Sequence, residues 1–222
     1  MIERLVPPVV VTEEAFADVP GSLLPAEAAL MTTATCGRRA EFGTVRHCAR
    51  RAMARLGVPG AEGMALAPGP HREPRWPAGL VGSLTHCAGY RAAAVARADA
   101  VPGLGIDAEP HAPLPPGVAD RVTRAEERES LAALAAAQPG VHWDRMVFSA
   151  KESVYKVWFP LTGRWLGFED ASVAPRPDGT FSVRLVDRVL PVAGTMASSL
   201  SGRWLVERGL MITALVLPSA VS

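Results

Sequence analysis

Residues 142–159 constrain the fold more than any other stretch. Met146, Ala150, Val154 and Val157 recur at helical spacing with Val147 and Trp158 beside them, so the segment reads as a helix with one buried face. Pro160 lacks a backbone N–H and crowds the preceding turn, and is expected to end it. The same helix holds an oddity of composition. Of 23 basic residues 21 are Arg, and the only two Lys, Lys151 and Lys156, flank Glu152 here. An ammonium is compact, mobile and able to give up a proton, which a planar guanidinium is not. The count points to a place where Arg would not serve.

A second helix is expected over 38–56. Phe42, Val45, Ala49, Ala52, Met53 and Leu56 share a face, and Gly57 with Pro59 stops it. Its other face carries Arg38, Arg39, Arg46, Arg50 and Arg51, either a solvated basic face or a phosphate-binding surface. A short helix is expected over 26–31, a Pro/Gly-rich loop over 58–79, and strands over 80–84, 92–97 and 104–109. Thr123 can cap a helix running to Ala137, with Glu126 at the capping-box position. Strands follow over 181–186, 202–206 and 210–217, with a turn near Arg208 and Gly209. No internal sequence repeat is evident. Long helices with late antiparallel strands make the class α+β.

At 222 residues the chain is one large domain or two small ones, and 49% hydrophobic against 20% charged residues is ample for a core. A net charge of +1 gives no global attraction to nucleic acid or to an anionic membrane. Cys36, Cys48 and Cys87 form no Cys-x-x-Cys pair, which suits a reducing compartment and supplies no zinc set. The N-terminus has an acid and two prolines where a signal sequence would be apolar, and no apolar run is long enough to span a bilayer. The expectation is a cytoplasmic protein.

Asp107 and Glu109, two apart on a strand, point to one face. Two such carboxylates form either a solvated strand end or a site for a hard cation such as Mg²⁺ beside a phosphate. Gly103 and Gly105 before them would let a ligand approach closely, but the third Gly of a dinucleotide fingerprint is missing. Glu152 and Lys156 stand at i,i+4, the spacing of an ordinary surface ion pair. Together with Lys151, Asp107 and Glu109 they also make a usable phosphoryl-transfer set. His86, with Ser83 and Thr85 nearby, is either a structural turn residue or a phosphate contact. No Gly-x-Ser-x-Gly is present and no residue is an evident nucleophile. Trp143 and Trp204 are expected in the core.

Taken in order, these signals resemble the 4′-phosphopantetheinyl transferases. Gly105-Ile-Asp-Ala-Glu109 and, about forty residues on, Phe148-Ser-Ala-Lys-Glu-Ser-x-x-Lys156 carry the likeness. Val81-Gly-Ser-Leu-Thr-His-Cys-Ala-Gly-Tyr90 resembles the family's upstream motif. Arg38-Arg-Ala-Glu-Phe-Gly-Thr-Val-Arg-His-Cys-Ala-Arg50 and Trp158-Phe-Pro-Leu-Thr-Gly-Arg-Trp-Leu-Gly-Phe-Glu-Asp170 are similar to the actinobacterial branch of the larger, monomeric class.

The resemblance implies two similar α+β halves related by pseudo-twofold symmetry, residues 1–110 and 111–222, with coenzyme A between them. It implies transfer of phosphopantetheine from coenzyme A to a serine of an apo acyl or peptidyl carrier protein, releasing 3′,5′-ADP. Such transfer would activate polyketide, nonribosomal peptide or fatty acid synthases. Carried over by position, Asp107, Glu109 and Glu152 hold Mg²⁺ (or Mn²⁺), Glu152 is the general base, and Lys156 with Lys151 steadies the pyrophosphate. Arg38, Arg46, Ser83 and His86 would contact coenzyme A, so the basic helix face and His86 become functional under this likeness. Relatives usually have a lysine before Trp-Pro where this chain has His71 and Arg72, either of which could substitute. Arg121, Arg124 and Arg128 are candidates by charge for the carrier surface. The alternative is a noncatalytic coenzyme A or carrier-binding protein of the same fold. The full set of acidic and basic positions argues against it.

Overall fold

The structure is a computed structural model and describes residues 1–192 and 194–219. After a 3₁₀ turn (Ile2–Leu5) come β1 (Val11–Ala15), α1 (Pro25–Ala28), α2 (Cys36–Arg55), β2 (Leu80–Cys87), β3 (Tyr90–Arg97) and β4 (Gly103–Pro110). Then follow α3 (Val118–Val122), α4 (Ala125–Ala137), α5 (Trp143–Thr162), a 3₁₀ turn (Phe168–Asp170), β5 (Ala171–Pro175), β6 (Thr180–Leu185), β7 (Leu190–Val192), β8 (Thr195–Ala197), β9 (Ser199–Glu207) and β10 (Leu210–Leu217). This is the expected α+β mixture.

β1, β3 and β2 form one antiparallel sheet in that order, and β4, β10, β9, β6 and β5 a second. The two halves share a plan. Each runs strand, one or two shorter helices, a long helix, then a closing hairpin whose second strand pairs with the first strand: β1 with β3, and β4 with β10. The second half inserts β5 to β8 before its hairpin. β4 therefore begins the second half. A division at residue 110 would cut it from its ladder with β10, whereas the loop between β3 and β4 separates the sheets cleanly.

Strand periodicity builds the core. Along β3, Ala93 and Val95 face α2, while Ala92, Ala94 and Ala96 face the second sheet. Along β4, Leu104, Ile106 and Ala108 join that inter-sheet core. Gly103, Gly105, Asp107 and Glu109 take the opposite parity, toward α5. A Cβ on Gly105 would lie 2.0 Å from the Ser153 carbonyl oxygen, and one on Gly103 2.7 Å from Leu217. These glycines thus admit the helix, where the sequence suggested a ligand.

Several boundaries shift. α5 runs through Pro160 and ends at Gly163 (φ 63°), whose N–H donates to Phe159 O at 2.8 Å. Proline removes one donor there, which a last turn tolerates because its carbonyls are already losing partners. The residue capping α4 is Arg124, one later than expected. Its N–H donates to the Glu127 carboxylate at 2.6 Å, while the Thr123 hydroxyl donates to Ala119 O. β1 fell outside the expected elements, and Thr85, His86 and Cys87, expected around a turn, complete β2. Trp143 and Trp204 meet edge to face with centroids 5.2 Å apart in the second core.

Candidate active site

The site forms where β4, β2 and α5 meet. β2 lies along the edge of β4 that β10 leaves free, and hydroxyls two residues apart replace a backbone ladder. Ser83 Oγ accepts from Ile106 N at 3.0 Å and Thr85 Oγ1 from Ala108 N at 2.9 Å. Both hydroxyls are buried. Ser83, expected at a phosphate, therefore sits inside this seam and joins the halves.

Asp107 is the hub. Its Oδ1 accepts from Lys156 Nζ at 2.8 Å and its Oδ2 from Ser149 Oγ at 2.8 Å, with Thr85 Oγ1 at 3.4 Å. Lys156 Nζ also donates to Ile106 O at 2.9 Å. Behind Asp107 the buried hydroxyls of Ser149, Thr213 and Ser153 are linked in a row at 2.9 and 2.7 Å. Glu109 is held by Arg145 Nη1 at 2.9 Å, and Arg145 also binds Ala112 O and Pro113 O, each at 3.0 Å. Ser149, Thr213 and Arg145 were not anticipated. Ser149 and Arg145 lie on the same helix as Glu152, so helical spacing from it could have found them.

Glu152 makes no hydrogen bond or ion pair among the described residues. Burial, then the Asp107 charge, raises its pKa above the ordinary 4.5, with Lys156 opposing. Burial and Asp107 raise Glu109 likewise, against Arg145. Two carboxylates whose charged forms are disfavoured beside a third are a natural seat for a cation. The all-oxygen donor set matches Mg²⁺. Among the described residues no three His, Cys, Asp or Glu stand close enough to hold a metal as placed.

On the first half, Arg38 donates to His86 Nε2 at 2.9 Å, leaving the imidazole proton on Nδ1. Burial and Arg38 lower the His86 pKa, so the ring stays neutral at pH 7. Arg46 is buried, with Nε on Leu66 O at 2.7 Å and its guanidinium over the Phe42 ring. Burial pulls its pKa down to about 10, and Arg38 and Arg50 add to the effect against Glu27. His71 packs edge-on against Phe159 with centroids 5.0 Å apart, and Arg72 takes a left-handed φ of 70° beside it. The loop carrying His71 and Arg72 thus abuts α5 one turn past Lys156. Of the three arginines put forward by charge, Arg124 binds Glu126 and Glu169 O, Arg128 binds Thr123 O, and Arg121 is exposed.

Lys151 departs from expectation. It is 3% exposed, and its ammonium donates to Glu127 Oε2, Val122 O and Phe168 O, all at 2.8 Å. Its three protons are all engaged away from Asp107, so it does not face the cleft with Glu152 and Lys156. Burial lowers its pKa and Glu127 opposes that.

Fold and site together define a class: a two-part α+β protein whose halves meet at a carboxylate–ammonium centre flanked by an Arg–His pair, suited to a phosphorylated ligand. Residues 26–96 match the family model of the 4′-phosphopantetheinyl transferase N-terminal domain, and residues 103–207 that of the 4′-phosphopantetheinyl transferase superfamily. The chain is 51% identical to 4′-phosphopantetheinyl transferase Svp of Streptomyces mobaraensis, over 97% of this chain and 88% of that one. It is 51% identical to PptT of Mycobacterium tuberculosis (92% and 90% covered) and 45% identical to Npt of Nocardia iowensis (97% and 99%), both 4′-phosphopantetheinyl transferases. The chain belongs to the 4′-phosphopantetheinyl transferase family. The gap between the two matched segments is the β3–β4 loop. No helix among the described residues is long and apolar enough to cross a membrane.

Proposed function

We propose that the protein transfers 4′-phosphopantetheine from coenzyme A to a serine of apo carrier proteins, including those of polyketide and nonribosomal peptide synthases. The observation that carries this is Asp107 clasped by Lys156 and Ser149 beside Glu152, in a chain half identical to named transferases along nearly its whole length. Those relatives are named as enzymes, which favours catalysis over a noncatalytic binder.

In the proposed reaction the carrier serine oxygen forms a bond to the β-phosphorus of coenzyme A. The bond from that phosphorus to the bridging oxygen breaks, and 3′,5′-ADP leaves with the electron pair. Glu152, with a raised pKa and no partner among the described residues, takes the serine proton. Lys156, held on Asp107 and Ile106 O, would offset charge on the leaving group. Asp107, Glu109 and Glu152 would hold Mg²⁺ (or Mn²⁺), which when bound supplies positive charge to the pyrophosphate oxygens. Arg38, His86 and Arg46, with His71 and Arg72 in the adjoining loop, receive the other coenzyme A phosphates and the nucleoside. The enzyme acts as a monomer in the cytoplasm, with neither nucleic acid nor membrane as partner.

The test is the intact mass of an apo carrier protein incubated with enzyme, coenzyme A and Mg²⁺. A gain of one phosphopantetheine is expected. No gain across several carrier types overturns the proposal.

A further inference from the structure

The two long helices are anchored by the same set of bonds. In the first half Glu27, fully buried, accepts from Leu24 N at the start of α1, from Leu66 N beyond α2, and from Arg50 Nη1 at 2.7 Å. In the second half Glu127, 2% exposed, accepts from Arg124 N at the start of α4, from Val173 N beyond α5, and from Lys151 Nζ. The cation in each half also binds the carbonyl two residues before the capped one: Arg50 on Ser22 O, Lys151 on Val122 O. A pin built twice, once in the half without the carboxylate cluster, is a device for seating a long helix.

The correspondence continues along the helix. One and five residues past Arg50, Arg51 and Arg55 reach Glu13 on β1. At the same steps past Lys151 stand Glu152 and Lys156, and Lys156 reaches Asp107 on β4. Successive residues are turned by ~100° about a helix axis. Fixing Lys151 on the Glu127 side therefore fixes the direction of Glu152. A cation whose donors are all taken has none for a phosphate.

We propose that Lys151 is a positioning residue: its buried pairing with Glu127 sets the rotation of α5, which directs Glu152 and Lys156 toward Asp107, and it makes no contact with coenzyme A. This rests on the transfer reading above. The variants are Lys151→Met, Lys151→Arg (after Arg50 in the first half) and the double Glu127→Met/Lys151→Met, which leaves no unpaired buried charge should the single Met variant fail to fold.

The Met variant that folds should lose at least tenfold in kcat, keep its KM for coenzyme A and its Kd for 3′,5′-ADP within twofold, and show a displaced acid limb in kcat against pH. Lys151→Arg should recover most of kcat. A tenfold rise in KM and Kd with kcat kept would make Lys151 a phosphate contact and overturn the proposal. So would a folded variant with wild-type kcat and pH profile, which would leave the pin a purely structural bond. If the wild type itself transfers nothing, the transfer reading falls, and Kd alone judges the absence of a coenzyme contact.

Discussion

Lys156 repeats in the second half the two bonds that Arg55 makes in the first. Lys156 donates to Ile106 O and to the Asp107 carboxylate at 2.9 and 2.8 Å; Arg55 donates to Thr12 O and to the Glu13 carboxylate at 3.0 and 2.7 Å. The ion pair at the centre of the candidate site is thus also a fold element.

A guanidinium can therefore hold the strand, so Lys156→Arg should fold and keep a near wild-type Tm. Its planar fork cannot follow phosphate oxygens as an ammonium does, and kcat should fall at least tenfold. Steady-state kinetics beside a melting curve reads both. Near-normal kcat would mean that charge alone suffices.

Glu152→Gln should lower kcat by about 10²–10⁴-fold, the range of a general base, with coenzyme A affinity little changed. In the metal-free protein burial and the Asp107 charge hold the Glu152 pKa above 4.5. The sign for stability follows. The folded state favours the protonated acid, so that contribution is whole below 4.5 and is lost as pH rises through the raised value. In chelator, Glu152→Gln should flatten the fall of Tm with pH above 4.5. Equal loss of kcat and affinity would argue for a role confined to metal binding or structure.

Mg²⁺ at millimolar levels should raise the Tm of the wild type by mass action, and less so for Glu109→Gln. Scanning fluorimetry with and without chelator checks this apart from activity. An equal rise in both proteins would remove Glu109 from the metal set.

The double variant Ser83→Ala/Thr85→Val removes the acceptors of Ile106 N and Ala108 N, at a cost of about 1–3 kcal/mol for each orphaned amide. Urea unfolding gives the loss. Hydrogen exchange should speed up at those two amides in particular.

Gly105→Ala puts a methyl against the Ser153 carbonyl and must part β4 from α5. Overpacking of this kind costs about 1–3 kcal/mol. Because the same spacing sets the Lys156–Asp107 distance, kcat should fall in the fraction that folds. Tm and kcat measured together decide it, and an unchanged pair would show that the helix yields elsewhere.

Much of this was legible in the chain. The helical stripe from Met146 to Val157 and the two-residue step from Asp107 to Glu109 are local periodicities, and both appear as read. The α5 stop was misread because Pro160 falls where few helical bonds remain to be lost. β1 was missed because Val11-Thr-Glu-Glu-Ala is a half-exposed edge strand that becomes recognisable only through its ladder with β3. The glycines before Asp107 were read toward a ligand because the sequence does not say which partner comes close.

By itself the sequence determined which groups could do the chemistry: two lysines in a chain of arginines, a carboxylate beside them, and an Asp-x-Glu strand. Only the tertiary structure decided which of those groups share a site. Lys151 and Lys156 are five residues apart, so they leave the helix in directions well over a right angle apart. One meets Glu127 in the core and the other Asp107 at the junction of the halves. That division depends on what packs against each face, and the partners come from a helix and a strand outside α5, Glu127 on α4 and Asp107 on β4.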